Sequence, residues 1–316
     1  MVIPSDQYGA GHVGYQPPAR GRAGGDWTTP QRAMGAEMAK RFGDRLRLRQ
    51  GPVSLADLET ASTPGFKSNK AAGRELLTEL APALSDLQER LFAEGRTGGN
   101  RSLLLVLQGM DTSGKGGTLR HSVGLMDPQG VRITSFKAPT VEERKHDFLW
   151  RIRRGLPEPG YIGIFDRSHY EDVLVARVHN LVPRSTWMRR YATINRFEQQ
   201  LVERGTVIVK CFLHISKDEQ RKRLNARLED PTKHWKFNTA DIDERALWDD
   251  YQAAYEAALE KTNTDEAPWY VVPGDHKWYR NLAITRLLVE WLEDLDPRWP
   301  AGDFDVQAQK ARLRQG

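Results

Sequence analysis

The run Gly109-Met110-Asp111-Thr112-Ser113-Gly114-Lys115-Gly116-Gly117-Thr118 fits the pattern G-x-x-x-x-G-K, and its residue types suit phosphate. Glycines let backbone N–H groups turn inward around phosphate oxygens. A lysine reaches the charge between phosphates, and a helix N-terminus stands behind them. Gly109, Gly114, Lys115, Gly116, Gly117 and Thr118 are therefore candidate phosphate contacts, with Lys115 as the catalytic cation. A plain glycine-rich turn is the competing reading, which the order strand, loop, lysine, helix argues against; Thr118 is equally an early helical residue. Gly116 stands where a Ser or Thr hydroxyl normally holds magnesium. Asp111 is the substitute, because an acid among phosphate-binding amides is costly unless it binds a metal or takes a proton. A turn-stabilising Asx role is its alternative.

A second acid follows a second apolar run. Tyr161-Ile162-Gly163-Ile164-Phe165 reads as a strand ending at Asp166-Arg167-Ser168-His169-Tyr170-Glu171-Asp172. A carboxylate in that place is the usual second acid of phosphate-loop enzymes. Asp166 should face Asp111 across bound Mg2+, while the fixed fork of Arg167 neutralises charge on a transferring phosphoryl group. A helix cap at Asp166 and a local Asp166–Arg167 ion pair are the structural alternatives. His169, Glu171 and Asp172 are candidates for the nucleotide side, although acids at a helix start are commonly caps. Lys217 to Leu228 reads as a helix carrying Arg221, Lys222, Arg223 and Arg227, followed by Lys233, His234, Trp235 and Lys236. Such a basic helix suits a lid that brings arginines, Arg223 among them, over the phosphates and keeps out water. It also suits an ordinary solvated face. Arg151, Arg153, Arg154, Arg189 and Arg190 would extend the positive track beyond what one nucleotide needs.

The elements that must position these residues alternate. Ser102–Gln108 reads as a strand buried on both faces. Further strands are expected at Val131 to Phe136, Tyr161 to Phe165, Thr206 to Leu213 and Trp269 to Val272, each separated by room for one or more helices. The expectation is an α/β fold, a doubly wound parallel five-stranded sheet of the P-loop kinase-like kind, with ligands beyond the carboxyl ends of the strands. Residues 1–30, rich in Gly and Pro and without a hydrophobic period, are expected as a flexible tail. Residues 31–100 are expected as a helical N-terminal extension, 101–300 as the kinase domain with a lid at about 217–240, and 301–316 as a C-terminal tail. Leu77, Leu80, Leu84, Leu87 and Leu91 make one apolar stripe, too short for a coiled coil and interrupted by Pro82, so it should pack on the chain's own core.

Among 316 residues, 39% are hydrophobic, enough for a core, which excludes wholesale disorder. Cys211 is the single cysteine and lies in an apolar run, so no disulfide framework exists and a reducing compartment fits. No apolar run approaches the roughly eighteen residues of a membrane span, and no secretory signal opens the chain. The expected location is the cytoplasm. A net charge of +5 favours an anionic partner.

Taken together, Gly109-Met110-Asp111-x-x-Gly114-Lys115, Phe165 to Asp172, Asn225-Ala226-Arg227-Leu228 and His234-Trp235-Lys236-Phe237 resemble polyphosphate kinase family two. The likeness runs from about residue 65 to 297 and includes Ala267 to Pro273 and Lys277-Trp278-Tyr279-Arg280-Asn281. It implies magnesium-dependent, reversible phosphoryl transfer between inorganic polyphosphate and adenine or guanine nucleotides, by a homodimer or homotetramer. It also implies functional acids at Asp111 and Asp166 and essential cations at Lys115, Arg167 and Arg227. His169-Tyr170-Glu171-Asp172 is more like members that accept AMP as well as ADP, whereas Gly116-Gly117 departs from the usual order after the lysine. An ATP-dependent kinase of a small metabolite is the alternative. A nucleic-acid-binding phosphate-loop protein is weaker, because the aromatics lie at spacings expected of core packing.

Overall fold

Every residue of Ser102–Gln108 is buried, as a strand covered on both faces requires. The computed structural model describes residues 41–315. Its strands are β1 (Ser102–Gln108), β2 (Val131–Ser135), β3 (Ile162–Asp166), β4 (Thr206–His214) and β5 (Trp269–Pro273). They form one sheet in the order β2-β3-β1-β4-β5, with every neighbouring pair parallel. The α-helices are α1 (Lys70–Arg96), α2 (Lys115–His121), α3 (Trp150–Gly155), α4 (Val175–Val178), α5 (Arg184–Glu203), α6 (Lys217–Glu229), α7 (Ala240–Ala246), α8 (Trp248–Thr262), α9 (Lys277–Leu295) and α10 (Val306–Leu313).

The period of two along β1 divides the core into two layers. Leu103, Leu105 and Leu107 pack with Leu84 and Leu91 of α1 and Ile284 and Leu288 of α9. Leu104 and Val106 face the opposite layer, with Ile194 and Leu201 of α5 and Ala254 and Leu259 of α8. Burying each such leucine stabilises the fold by roughly 1.5–3 kcal/mol. The leucine stripe of α1 therefore covers the chain's own sheet. Its helix begins on the Asn69 side chain, which accepts from the N–H groups of Ala71 and Ala72, and it runs on through exposed Pro82. Strand order steps outward on both sides of β1, which puts a crevice at the carboxyl end of that strand.

One expectation needs correction. Residues 41–69 are not helical beyond the short turns Gly43–Arg45 and Leu55–Asp57. Gly51, Pro52, Pro64 and Gly65 break any helix there, and the segment lies along the free edge of β5. Leu48 N–H donates to the Trp269 carbonyl (2.8 Å), and Val271 N–H donates to that of Leu46 (2.9 Å), so edge groups that need partners find them. The expected C-terminal tail is exposed along nearly all its length and carries one short helix, α10, whose first N–H groups Asp305 caps. The expected flexible segment at 1–30 lies outside the described residues. No helix among the described residues is long and apolar enough to cross a membrane.

Candidate active site

β1 ends at Gln108, and the chain turns through Gly109 into α2, so the loop sits at the carboxyl edge of the central strand. Gly114 has φ 110°, and a β-carbon there would lie 1.7 Å from Arg280 Nη1. At Gly117 it would lie 2.5 Å from Arg280 Nη2. Both glycines are thus required by close approach of a buried guanidinium, whereas Gly116 faces open space. Thr112 holds φ 63°, a left-handed strain that a non-glycine residue keeps only where its surroundings fix it. Arg223 of α6 does part of that fixing. Its Nη1 donates to the carbonyls of Thr112 and Ser113 (both 2.9 Å) and its Nη2 to that of Gly274 (2.6 Å), while Glu219 accepts from its Nε at 2.8 Å.

Lys115 Nζ folds back on the Gly109 carbonyl (2.8 Å). Burial and then Arg167 lower its pKa, against Asp111, Asp166 and Glu171. β3 delivers the other half of the site: Asp166 is its last residue, and Arg167 follows with φ 65°. Arg167 Nη2 donates to Asp111 Oδ1 at 2.9 Å, and its Nη1 lies 3.7 Å from Glu171 Oε2. Burial opposes the Arg167 charge, but Glu171 and then Asp111 outweigh it and raise its pKa. Burial pushes the Glu171 carboxyl up, with Arg167 and Lys115 pulling the other way. Asp111, Arg167 and Glu171 line a narrow cleft of about 30 Å³ together with Gln220, Glu244, Tyr251 and Tyr255.

A wider groove of about 740 Å³ opens on the other side of α2, lined by Lys70, Arg74, Gly117, His121, Lys277 and Arg280 among others. Its two carboxylates are already engaged, Glu219 by Arg223 and Asp275 by Thr60 and the Ser216 N–H. Lys70, Arg74, His121, Lys277 and Arg280 have no ion-pair partner among the described residues. Burial and Arg223 bring Arg280 down to about 10 and lower Lys277 as well, as expected of cations short of negative charge.

A glycine-rich loop carrying Lys115 and Asp111, the strand-end acid Asp166 and a basic groove together make a candidate phosphate site. Residues 67–299 match the family model described as Polyphosphate kinase 2. The chain belongs to the polyphosphate kinase 2 family. It is 48% identical over 250 residues to a Meiothermus ruber protein named AMP/ADP-polyphosphate phosphotransferase, covering 79% of this chain and 92% of that one. A Rhodopseudomonas palustris ADP-polyphosphate phosphotransferase is 45% identical over 275 residues, covering 83% and 93%. Among solved structures, a polyphosphate kinase 2 from Arthrobacter aurescens superposes with a TM-score of 0.85 at 54% identity, covering 88% of this chain and 98% of that one.

Within this polyphosphate kinase 2 fold, Asp111, Arg167 and Glu171 line one cleft, and Lys115 and Asp166 lie near enough to act electrostatically on Arg167 and on each other. Arg227 stands at the rim, donating to Asp241 Oδ2 (3.2 Å) and the Lys236 carbonyl (3.0 Å). Thr118 is buried in the first turn of α2 with no partner for its hydroxyl among the described residues. Three assignments are corrected. Arg223 buttresses the loop from behind, because its donors are spent on carbonyls. His169 is 1% exposed and points inward to Glu198 (3.1 Å). Asp172 is held between Arg190 (3.2 Å) and Arg151 (3.6 Å), away from the cleft. Of the expected track Arg151, Arg153, Arg154, Arg189 and Arg190, three members are neutralised, since Arg153 also pairs with Asp147 at 3.0 Å. Arg154 lies over the Trp150 ring, and neither it nor Arg189 has an ion-pair partner among the described residues. Sequence reading missed Glu244, Tyr251 and Tyr255, which carry no motif, and left Lys277 and Arg280 without a role although they fall in a motif of the family likeness.

Proposed function

We propose that this chain moves phosphoryl groups reversibly between inorganic polyphosphate and adenine or guanine nucleotides, with AMP and ADP both as acceptors and Mg2+ as its metal. The observation that carries the donor is the groove of unpaired cations leading from the phosphate loop. A nucleoside triphosphate would not need four such cations, Lys70, Arg74, Lys277 and Arg280, whereas a long polyanion would. The acceptor then lies in the Arg167–Glu171 cleft. A nucleotide-sized ligand needs roughly 300 Å³ or more, so α6 and α7 must swing outward to admit it. The Meiothermus relative's name, which gives AMP and ADP, supports the pair of acceptors.

In this reading the acceptor's terminal phosphate oxygen attacks the last phosphorus of the chain in line, and the bond to the next bridging oxygen breaks. That acceptor oxygen is already ionised near neutral pH, so no strong base is needed. Arg167, fixed by Asp111 and Glu171, and Lys115, free to leave the Gly109 carbonyl, share the charge that develops. Asp111 and Asp166 supply only oxygen donors, and no group of three or more acidic, His or Cys side chains gathers among the described residues. That donor set fits Mg2+, which keeps waters and binds through one or two carboxylates plus phosphate oxygens. When bound, the ion would neutralise phosphate charge. Exposed Trp299, Phe304 and Leu313 support association into a homodimer or homotetramer, and the unpaired, buried Cys211 thiol fits the cytoplasm.

The test is formation of ADP and ATP from AMP, long-chain polyphosphate and Mg2+ by purified protein, with Lys115→Ala as control. ATP from ADP alone would restrict the acceptor. Turnover with ATP as the sole donor, and none with polyphosphate, would overturn the reading in favour of a small-metabolite kinase.

A further inference from the structure

The middle of the sheet holds a charge that the reaction does not use. Lys210 of β4 is fully buried, in register between Val106 of β1 and Trp269 of β5. Its Nζ donates to Glu198 Oε2 (2.6 Å), the Thr262 carbonyl (2.7 Å) and Tyr170 Oη (3.0 Å), which uses all three protons. Glu198 of α5, 1% exposed, also accepts at Oε1 from Tyr170 Oη (2.8 Å) and His169 Nε2 (3.1 Å). Burial alone would raise the Glu198 carboxyl, but Lys210 and then His169 outweigh it and keep it ionised.

Stability gives little reason for such a pair, since apolar residues of similar volume do as well or better in its place. Its position suggests a different one. His169 and Tyr170 lie in sequence between Arg167 and Glu171, the two groups that line the cleft. Ser168, also buried, accepts from Gln108 Nε2 (3.0 Å) and from Tyr170 N–H (3.2 Å). The segment just after strained Arg167 is therefore tied at each of three successive side chains. A left-handed non-glycine residue persists only where its flanks over-determine it.

We propose that Lys210 and Glu198 are positioning residues: through His169 and Tyr170 they fix the Ser168–Tyr170 turn and so hold the Arg167 guanidinium and the Glu171 carboxylate against the phosphate loop. This rests on Arg167 acting on the transferred phosphoryl group, as proposed above. Neither residue of the pair touches substrate. Their removal changes geometry by tenths of an ångström at Arg167, to which in-line transfer is sensitive.

Lys210→Met alone strands a carboxylate in the core and should lower Tm sharply, so the decisive variant is Lys210→Met with Glu198→Leu, in which both charges are gone. Made in the full chain, it is expected to melt above either single variant. Its kcat should fall about tenfold or more while KM for nucleotide and polyphosphate stays within about twofold, because the loss is confined to the transition state. Tyr170→Phe, which removes one hydroxyl and keeps the core filled, should lower kcat several-fold in the same manner. A packing defect would act equally in any background. A positioning role would not, so in Arg167→Lys either change should cost less than about twofold. Wild-type kcat in a folded double variant, or an equal loss in both backgrounds, overturns the proposal. If the double variant does not fold, the Tyr170→Phe cycle decides in the same way. Wild-type turnover with polyphosphate reports separately on the proposed reaction; should another donor be the true one, the same ratios are read with that donor.

Discussion

Two basic regions flank the carboxyl edge of the sheet, and they differ in what their charges face. Around α3 and α5, Arg153 meets Asp147, while Arg151 and Arg190 close on Asp172 at 3.6 and 3.2 Å. Of the expected track only Arg154, which lies over the Trp150 ring, and Arg189 are left without a carboxylate among the described residues. In the groove beside α2, Lys70, Arg74, His121, Lys277 and Arg280 meet no carboxylate, and burial lowers the pKa of both Lys277 and Arg280. A cation matched by its own protein has little field left for a ligand, and an unmatched one, partly desolvated, gains the most from an arriving anion. The number of basic residues in a stretch of sequence therefore says less about a polyanion track than their pairing does.

The largest expected effect lies at the phosphate loop between β1 and α2. Lys115→Ala removes the loop's own cation and should lower kcat by about a hundredfold or more, with far-UV circular dichroism unchanged. Next, the triple variant Lys70→Ala, Arg74→Ala, Lys277→Ala should raise KM for long-chain polyphosphate about tenfold or more, from the loss of charge-assisted contacts. KM for tripolyphosphate should barely move, since a short donor ends near the loop. Equal effects on both donors would erase the difference between the regions.

Arg190→Ala should do the reverse, leaving both KM values alone and lowering stability by roughly 1–3 kcal/mol through the uncompensated Asp172 carboxylate. Burial already raises the Asp172 pKa, and Arg190, then Arg151, restrain it. Loss of Arg190 lifts it further above its unfolded value. An acid of that kind favours the folded state while protonated, so the deficit should be small at acid pH and grow as pH rises through the folded-state pKa. Denaturant melts across pH check this, and a deficit that shrinks as pH rises would contradict it. The smallest effect is expected at Gly116→Ser, where open space awaits the side chain: within about 0.5 kcal/mol in stability and twofold in kcat. Gly117→Ala, only one position on, must displace buried Arg280 and should be clearly worse in both.

Much of this was legible in the chain before any coordinates. Alternating apolar strands and helical stretches dictated the parallel sheet, because residues that must be buried on both faces can only be strands between two helical layers. Loop spacing marked Gly109 to Thr118 as a candidate phosphate cradle, and the end of an apolar run put Asp166 and Arg167 beside it, since both are consequences of local order along the chain. The tertiary structure alone decided which charges meet. Arg223 turned from a phosphate ligand into a brace once α6 was laid behind the loop. His169 left the site because α5 set Glu198 beneath it, and Glu244, Tyr251 and Tyr255 entered because α7 and α8 cross over the cleft. Periodicity fixes which way a side chain faces its own sheet. Pairing between distant elements depends on where the helices cross, a property of the packed core that no single segment carries.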